Sequence, residues 1–84
     1  MKKQWIMQAI QTKYIGPTNF RGSRVKASCA AGSITLGWLS ELDTDGNHRH
    51  AAETLWKQLG WNKKNKLLGG GLKDGSQVWV QVTK

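Results

Sequence analysis

The sequence holds a single cysteine, Cys29. That excludes an internal disulfide and any zinc site built from several thiolates. Acids are also scarce, with five Asp and Glu against thirteen Lys and Arg. Four of the five lie between Glu41 and Glu53. Little material is left for paired-carboxylate catalysis. No apolar run approaches the roughly 20 residues that cross a bilayer. Lys2 and Lys3 are followed by neither an apolar stretch nor a small-residue cleavage site, so no secretory signal is expected. Repeats and linkers are absent, and NKKNK at 62–66 is the one low-complexity tract. Cys29 is expected to point inward from a strand, where a thiol is inert. No nucleophile, base and orienting group can be assembled by spacing. The chain therefore reads as a non-enzyme with no cofactor.

What is present is a basic, aromatic, half-apolar composition. Hydrophobic residues make up 38% of the 84, five of them Trp, and the net charge is +8. This is too apolar for a disordered basic tail. It fits one small domain, 1–84, in the cytoplasm, with a narrow stability margin. The charge is segregated. Residues 1–26 carry Lys2, Lys3, Lys13, Arg21, Arg24 and Lys26 with no acid. Residues 41–53 carry Glu41, Asp43, Asp45 and Glu53 against Arg49, and residues 57–84 carry six Lys against Asp74. A net charge of this size can serve solubility alone. Its clustering favours a face that binds a polyanion.

The pattern predicts an α+β domain: a small antiparallel sheet with one amphipathic helix packed on one face. Residues 4–15 read as a first strand, with Ile6, Ile10 and Tyr14 on one parity, closed by Gly16-Pro17. Residues 16–23 form a loop. Residues 24–29 alternate, with Val25, Ala27 and Cys29 inward and Arg24, Lys26 and Ser28 outward. Ala30-Ala31-Gly32 makes a tight connection in which Gly32 can take a positive φ. Residues 33–38 follow, with Ile34, Leu36 and Trp38 inward. A helix is predicted over 48–59, with Asn47 as N-cap, a stripe of Ala51, Leu55 and Leu59, and Gly60 after its end. Leu67 and Leu68 start a short strand or belong to a glycine loop, so the order is β-β-β-α-β-β or β-β-β-α-β. Lys73-Asp74-Gly75-Ser76 is a turn. Residues 77–82 form a last strand, with Val78, Val80 and Val82 on one face and Trp79 on the other.

Three segments, TKYIGPTNFRGSRVKA at 12–27, NHRHAAETLWKQLGW at 47–61 and LLGGGLKDGS at 67–76, carry a resemblance. In combination they resemble a group of short, uncharacterised proteins encoded by bacteriophages and other bacterial mobile elements. The likeness runs from about residue 9 to residue 82. It implies a setting, the bacterial host cytoplasm, and supplies no catalytic residues. Small proteins of that setting include DNA-binding accessories and inhibitors of host defence such as anti-CRISPR proteins, an associational expectation only.

The residues themselves offer several constellations. Arg24 and Lys26 project from the outward face of a hairpin strand, and Lys13 and Arg21 sit at the ends of the preceding loop, where together they can track phosphates, with Thr18, Asn19 and Ser23 adding hydrogen bonds. Phe20 is the ring best placed to stack on an unpaired base. Tyr14 is expected in the core. The Lys63, Lys64 and Lys66 loop extends the footprint and should meet the hairpin on one face, with the acids elsewhere. The glycines at 69–71 match neither a Walker loop nor a dinucleotide fingerprint, and a close strand crossing is the better reading. His48 and His50 are two apart at a helix start and point to different faces, so no metal is expected. Both should titrate near pH 6.5. Trp38 and Trp56 fit core positions. Trp79 and Trp5, if they share the outer sheet face, form an aromatic patch that suits a protein partner or a homodimer through sheet edges. The leading expectation is a non-enzymatic accessory that binds DNA or RNA, with no membrane partner. The alternative is an inhibitor that binds a host protein or ribonucleoprotein complex through Trp5, Trp61 and Trp79.

Overall fold

The computed structural model describes residues 9–60 and 66–82. Its elements are β1 (Ile10–Ile15), β2 (Arg24–Cys29), β3 (Gly32–Gly37), α1 (Thr44–Gln58), β4 (Lys66–Gly71) and β5 (Gln77–Val82). The strands form one sheet in the order β3-β2-β1-β5-β4, with every neighbouring pair antiparallel. The helix packs across β1, β2 and β3. This is the expected α+β arrangement, and the glycine segment is a strand, which selects the β-β-β-α-β-β order. The first strand spans Ile10–Ile15, and the part of its expected range before residue 9 lies outside the described residues.

Alternation decides which side chains enter the core. Val25 and Ala27 are fully buried while Lys26 between them is exposed. Ile10 comes from β1, Ala51, Ala52 and Leu55 from α1, and Leu67 and Trp79 from the last two strands. Ile34, Leu36, Trp38, Trp56 and Leu59 pack against that cluster from its margin. The helix needs small residues on this face, because Ala51 and Ala52 let its backbone approach the sheet closely.

Three local expectations are corrected. The helix starts at Thr44, with Asp43 as N-cap; its carboxylate accepts from the Gly46 backbone N–H at 2.7 Å. Asn47 is instead buried inside the first turn. Its Oδ1 accepts from the Leu39 N–H at 2.8 Å, and its Nδ2 donates to the Leu39, Leu42 and Asp43 carbonyls. It ties the 39–43 approach to the helix, where a solvated cap would tie nothing. The Ala30–Ala31 turn closes with Gly32 already in β3 opposite Cys29, and no positive φ there. Gly60 does follow the helix with φ +74°, as expected of a C′ residue.

The third correction is the parity of β5. Trp79, expected outside, is 4% exposed and lies on the helix side opposite Ile10 and Gly69. Apolar area alone would favour the three valines, so space and a polar partner decide the parity. Gly69 provides the space: a Cβ there would collide with the six-membered ring of Trp79. The polar end of the ring is also satisfied, since Trp79 Nε1 donates to Thr12 Oγ1 at 3.0 Å. Val78 and Val80 therefore lie half-buried on the opposite face, which no described element covers.

Candidate nucleic-acid interface

The first hairpin sets the geometry. Pairing of β1 with β2 places Lys13 directly opposite Lys26 and Ile15 opposite Arg24. All three cations fall on the face turned away from α1, because Thr12, Val25 and Ala27 occupy the other one. Directly paired residues hold their Cβ atoms about 4.5–5.5 Å apart, and like charges so placed destabilise a sheet. No acid relieves them within the sheet, since none of the five strands contains Asp or Glu. The acids sit on the helix approach, on α1 and in the β4–β5 turn. Arg24 is half-buried, and its Nε is buried with no hydrogen-bond partner among the described residues.

The loop from 16 to 23 closes over its own backbone. Thr18 Oγ1 accepts from the N–H groups of Phe20 and Arg21 at 3.2 and 3.0 Å, and the Thr18 N–H donates to the Arg21 carbonyl at 2.7 Å. This holds Asn19 and Phe20 at the tip, with Arg21 beside them, all three exposed. Phe20 is 93% exposed, so the ring contributes nothing to the core.

The rest of the predicted cluster is dispersed. Lys66 shares the uncovered face and pairs with Val82, whereas Lys13 lies level with Ser76. Two strands and six residue positions separate them, about 20 Å along the strand direction alone. Lys66 therefore does not join the hairpin cations. Lys63 and Lys64 lie outside the described residues. Asp74, in the β4–β5 turn, borders the same small cleft as Lys13. Its carboxylate is held below the usual range by hydrogen bonds from the Ser76 hydroxyl and N–H, with Lys13 adding to the effect.

Comparison with known proteins gives nothing to lean on. No family model, curated protein or solved structure matches the chain. The site has to be read from its own chemistry.

Of the three tryptophans proposed as protein anchors, Trp79 is in the core, and Trp5 and Trp61 lie outside the described residues. Tyr14, expected in the core, is 52% exposed. It lies near the end of β1 on the helix side, beside Trp38 and the first turns of α1. Its ring meets Trp38 edge-on at 5.1 Å, and its hydroxyl lies 2.9 Å from Ser23 Oγ. Among the described residues no three His, Cys, Asp or Glu side chains converge as metal ligands. His50 is exposed.

His48 is the residue that sequence reasoning misplaced most. It is 1% exposed, and its Nδ1 lies 2.7 Å from Thr12 Oγ1, the same hydroxyl that receives the Trp79 N–H. Burial pushes its imidazole below its usual range, against the opposing pull of Asp45 and of the hydrogen bond at Thr12. No helix among the described residues is long and apolar enough to cross a membrane.

What the sequence did not reveal was the pairing of Lys13 with Lys26. A symmetric hairpin about the 16–23 loop would have given it, since 13 and 26 are equidistant from the loop centre.

Proposed function

We propose that this protein is a non-enzymatic accessory of a phage or mobile element that binds nucleic acid by gripping backbone phosphates on the uncovered face of its first hairpin. The observation that carries the reading is the direct opposition of Lys13 and Lys26, with Arg24 two residues along, on a sheet free of acids. A fold that tolerates this repulsion gains most from an anion placed between the charges. Arg21 and the exposed Phe20 extend the surface at the loop tip. Phosphate contacts of this type give affinity without strong sequence preference. Three to four of them predict that log affinity falls with log salt with a slope of about −2 to −4.

The test is fluorescence-anisotropy titration of labelled single- and double-stranded oligonucleotides across a salt series. Charge reversal at Arg21, Arg24 and Lys26 should abolish binding. An absence of binding by the unaltered protein to any nucleic acid at low salt would overturn the proposal. Retention of one defined host protein in a nuclease-treated pull-down, with that result, would establish the inhibitor alternative instead.

A further inference from the structure

We infer that the protein carries a pocket for one unpaired nucleobase on the rim next to the basic face, and that it therefore prefers single strands. The inference rests on the nucleic-acid reading above and adds a second, uncharged site to it.

Lys13 and Tyr14 are adjacent in β1, so alternation sends them to opposite faces of the sheet. At the end of the sheet the two faces communicate. A cleft of about 310 Å³ runs between Lys13, Tyr14 and the β4–β5 turn. A second, of about 440 Å³, opens on the helix side and is lined by Tyr14, Ser23, Trp38, Thr44, His48 and Gly75. Tyr14 and Gly75 belong to both. Gly75 has φ +91°, and a Cβ there would meet nothing within 4 Å, so the passage over the rim is open at that point.

The lining fits a base better than a phosphate. Trp38 makes near-perpendicular contacts with Tyr14 at 5.1 Å and with His48 at 6.2 Å, so three π systems meet at one corner. Among the described residues no Lys or Arg lines this pocket. The polar atoms at its edge are hydroxyls, from Tyr14, Ser23 and Thr44, which can donate or accept to the edge of a base. Its volume is that of a small-ligand site. A strand whose phosphates lie along Lys13 and Lys26 can turn one nucleotide over the rim and stack its base against the Tyr14–Trp38 corner. A duplex cannot do this without breaking a pair. The hydrogen bond between Tyr14 and Ser23 holds the ring in place before any ligand arrives, which lowers the ordering cost of stacking.

The deciding experiment compares three fluorescein-labelled probes of equal length: a thymidine oligonucleotide, the same chain with abasic sites, and a duplex. DNA and RNA versions of the first distinguish the two sugars. The base-bearing single strand should bind at least about tenfold more tightly than the abasic one. Tyr14→Leu, which keeps an apolar side chain but removes the ring, should bring that ratio close to one. Trp38 fluorescence cannot be isolated among five Trp, so a Tyr14→Phe variant serves as the second probe and should retain most of the ratio. Equal affinity for base-bearing and abasic strands overturns the pocket and leaves phosphate binding standing. A ratio unmoved by Tyr14→Leu overturns the assignment of the pocket to this corner. Failure of every probe to bind at low salt overturns both the pocket and the function on which it rests.

Discussion

Replacing Lys26 by Glu should make the protein more stable and a worse binder at once. Lys26 is exposed and faces Lys13 across the β1–β2 ladder, so the substitution removes no core contact. It exchanges a like-charge pair for an opposite-charge pair. Each half of that exchange contributes roughly 0.2–1 kcal/mol, so the gain should be about 0.5–2 kcal/mol. Lys13 already has Asp74 across a small cleft, which places the expected gain in the lower part of that range. A domain of this size gains about 4–8 °C in Tm per kcal/mol, so a rise of roughly 3–8 °C is expected. The assay is thermal unfolding followed by circular dichroism at about 10 mM and about 1 M salt, where the screening length falls from roughly 30 to 3 Å. The rise should be largest at low salt and mostly lost at high salt. Lys26→Gln, which only removes the repulsion, should give about half of it. In parallel, the slope of log affinity against log salt should flatten by about one. A Tm that stays the same or falls at low salt would refute the claim that the two lysines repel. A stable variant that still binds with the original salt slope would refute the claim that this pair holds phosphate.

Three further outcomes follow from the core and the helix. Gly69→Ala must push the Trp79 indole aside and break its bond to Thr12, costing about 1–3 kcal/mol in a urea titration, while Gly70→Ala, with open space around its Cβ, should stay within about 0.5 kcal/mol. Because burial holds the His48 pKa below its unfolded value of about 6.5, the unfolded chain binds the proton more readily, so stability should be full above that value and fall as pH drops below it; a flat urea midpoint between pH 7.5 and 5 in the native protein would contradict this. Asp43→Ala removes the acceptor for the Gly46 N–H and should cost about 1 kcal/mol, whereas loss of that size from Asn47→Ala alone, without a matching effect at Asp43, would return the cap to Asn47.

The β2–β3 hairpin was legible in the sequence because both strands alternate cleanly, Val25 and Ala27 against Arg24 and Lys26, then Ile34 and Leu36 against Ser33 and Thr35. The helix was legible from its Ala51–Leu55 spacing and its Gly60 stop. Its start was not, since Asp43 and Asn47 are both good caps and only the fold shows that Asn47 has four backbone partners to satisfy. The β5 parity failed for a related reason. The valine row was the natural inward face by count, but the vacancy that accepts Trp79 lies across the ladder at Gly69 and its hydrogen-bond acceptor is Thr12, neither of which the local pattern shows. His48 was read from its neighbours in sequence as surface, but Thr12, 36 positions away, supplies its partner. The charge pattern located three of the four hairpin cations on a shared strand pair. It did not show that Lys66 would leave from the far end of the sheet, because strand order and register are not written in composition.

The Thr12 hydroxyl has a further consequence. Its neighbours are Trp79, 67 positions later, and His48, which belongs to the helix. β1 lies in the middle of the sheet, yet one of its two partners is the last strand of the chain. As the chain emerges from the ribosome, β1 can pair with β2 at once, but its other edge stays open until β5 is made. Such distant pairing slows folding and leaves a strand edge available to other chains in the meantime. The chain thus passes through an interval in which its own unfinished copies are available wrong partners. Lys13, on β1 itself, adds charge repulsion between such copies at that edge.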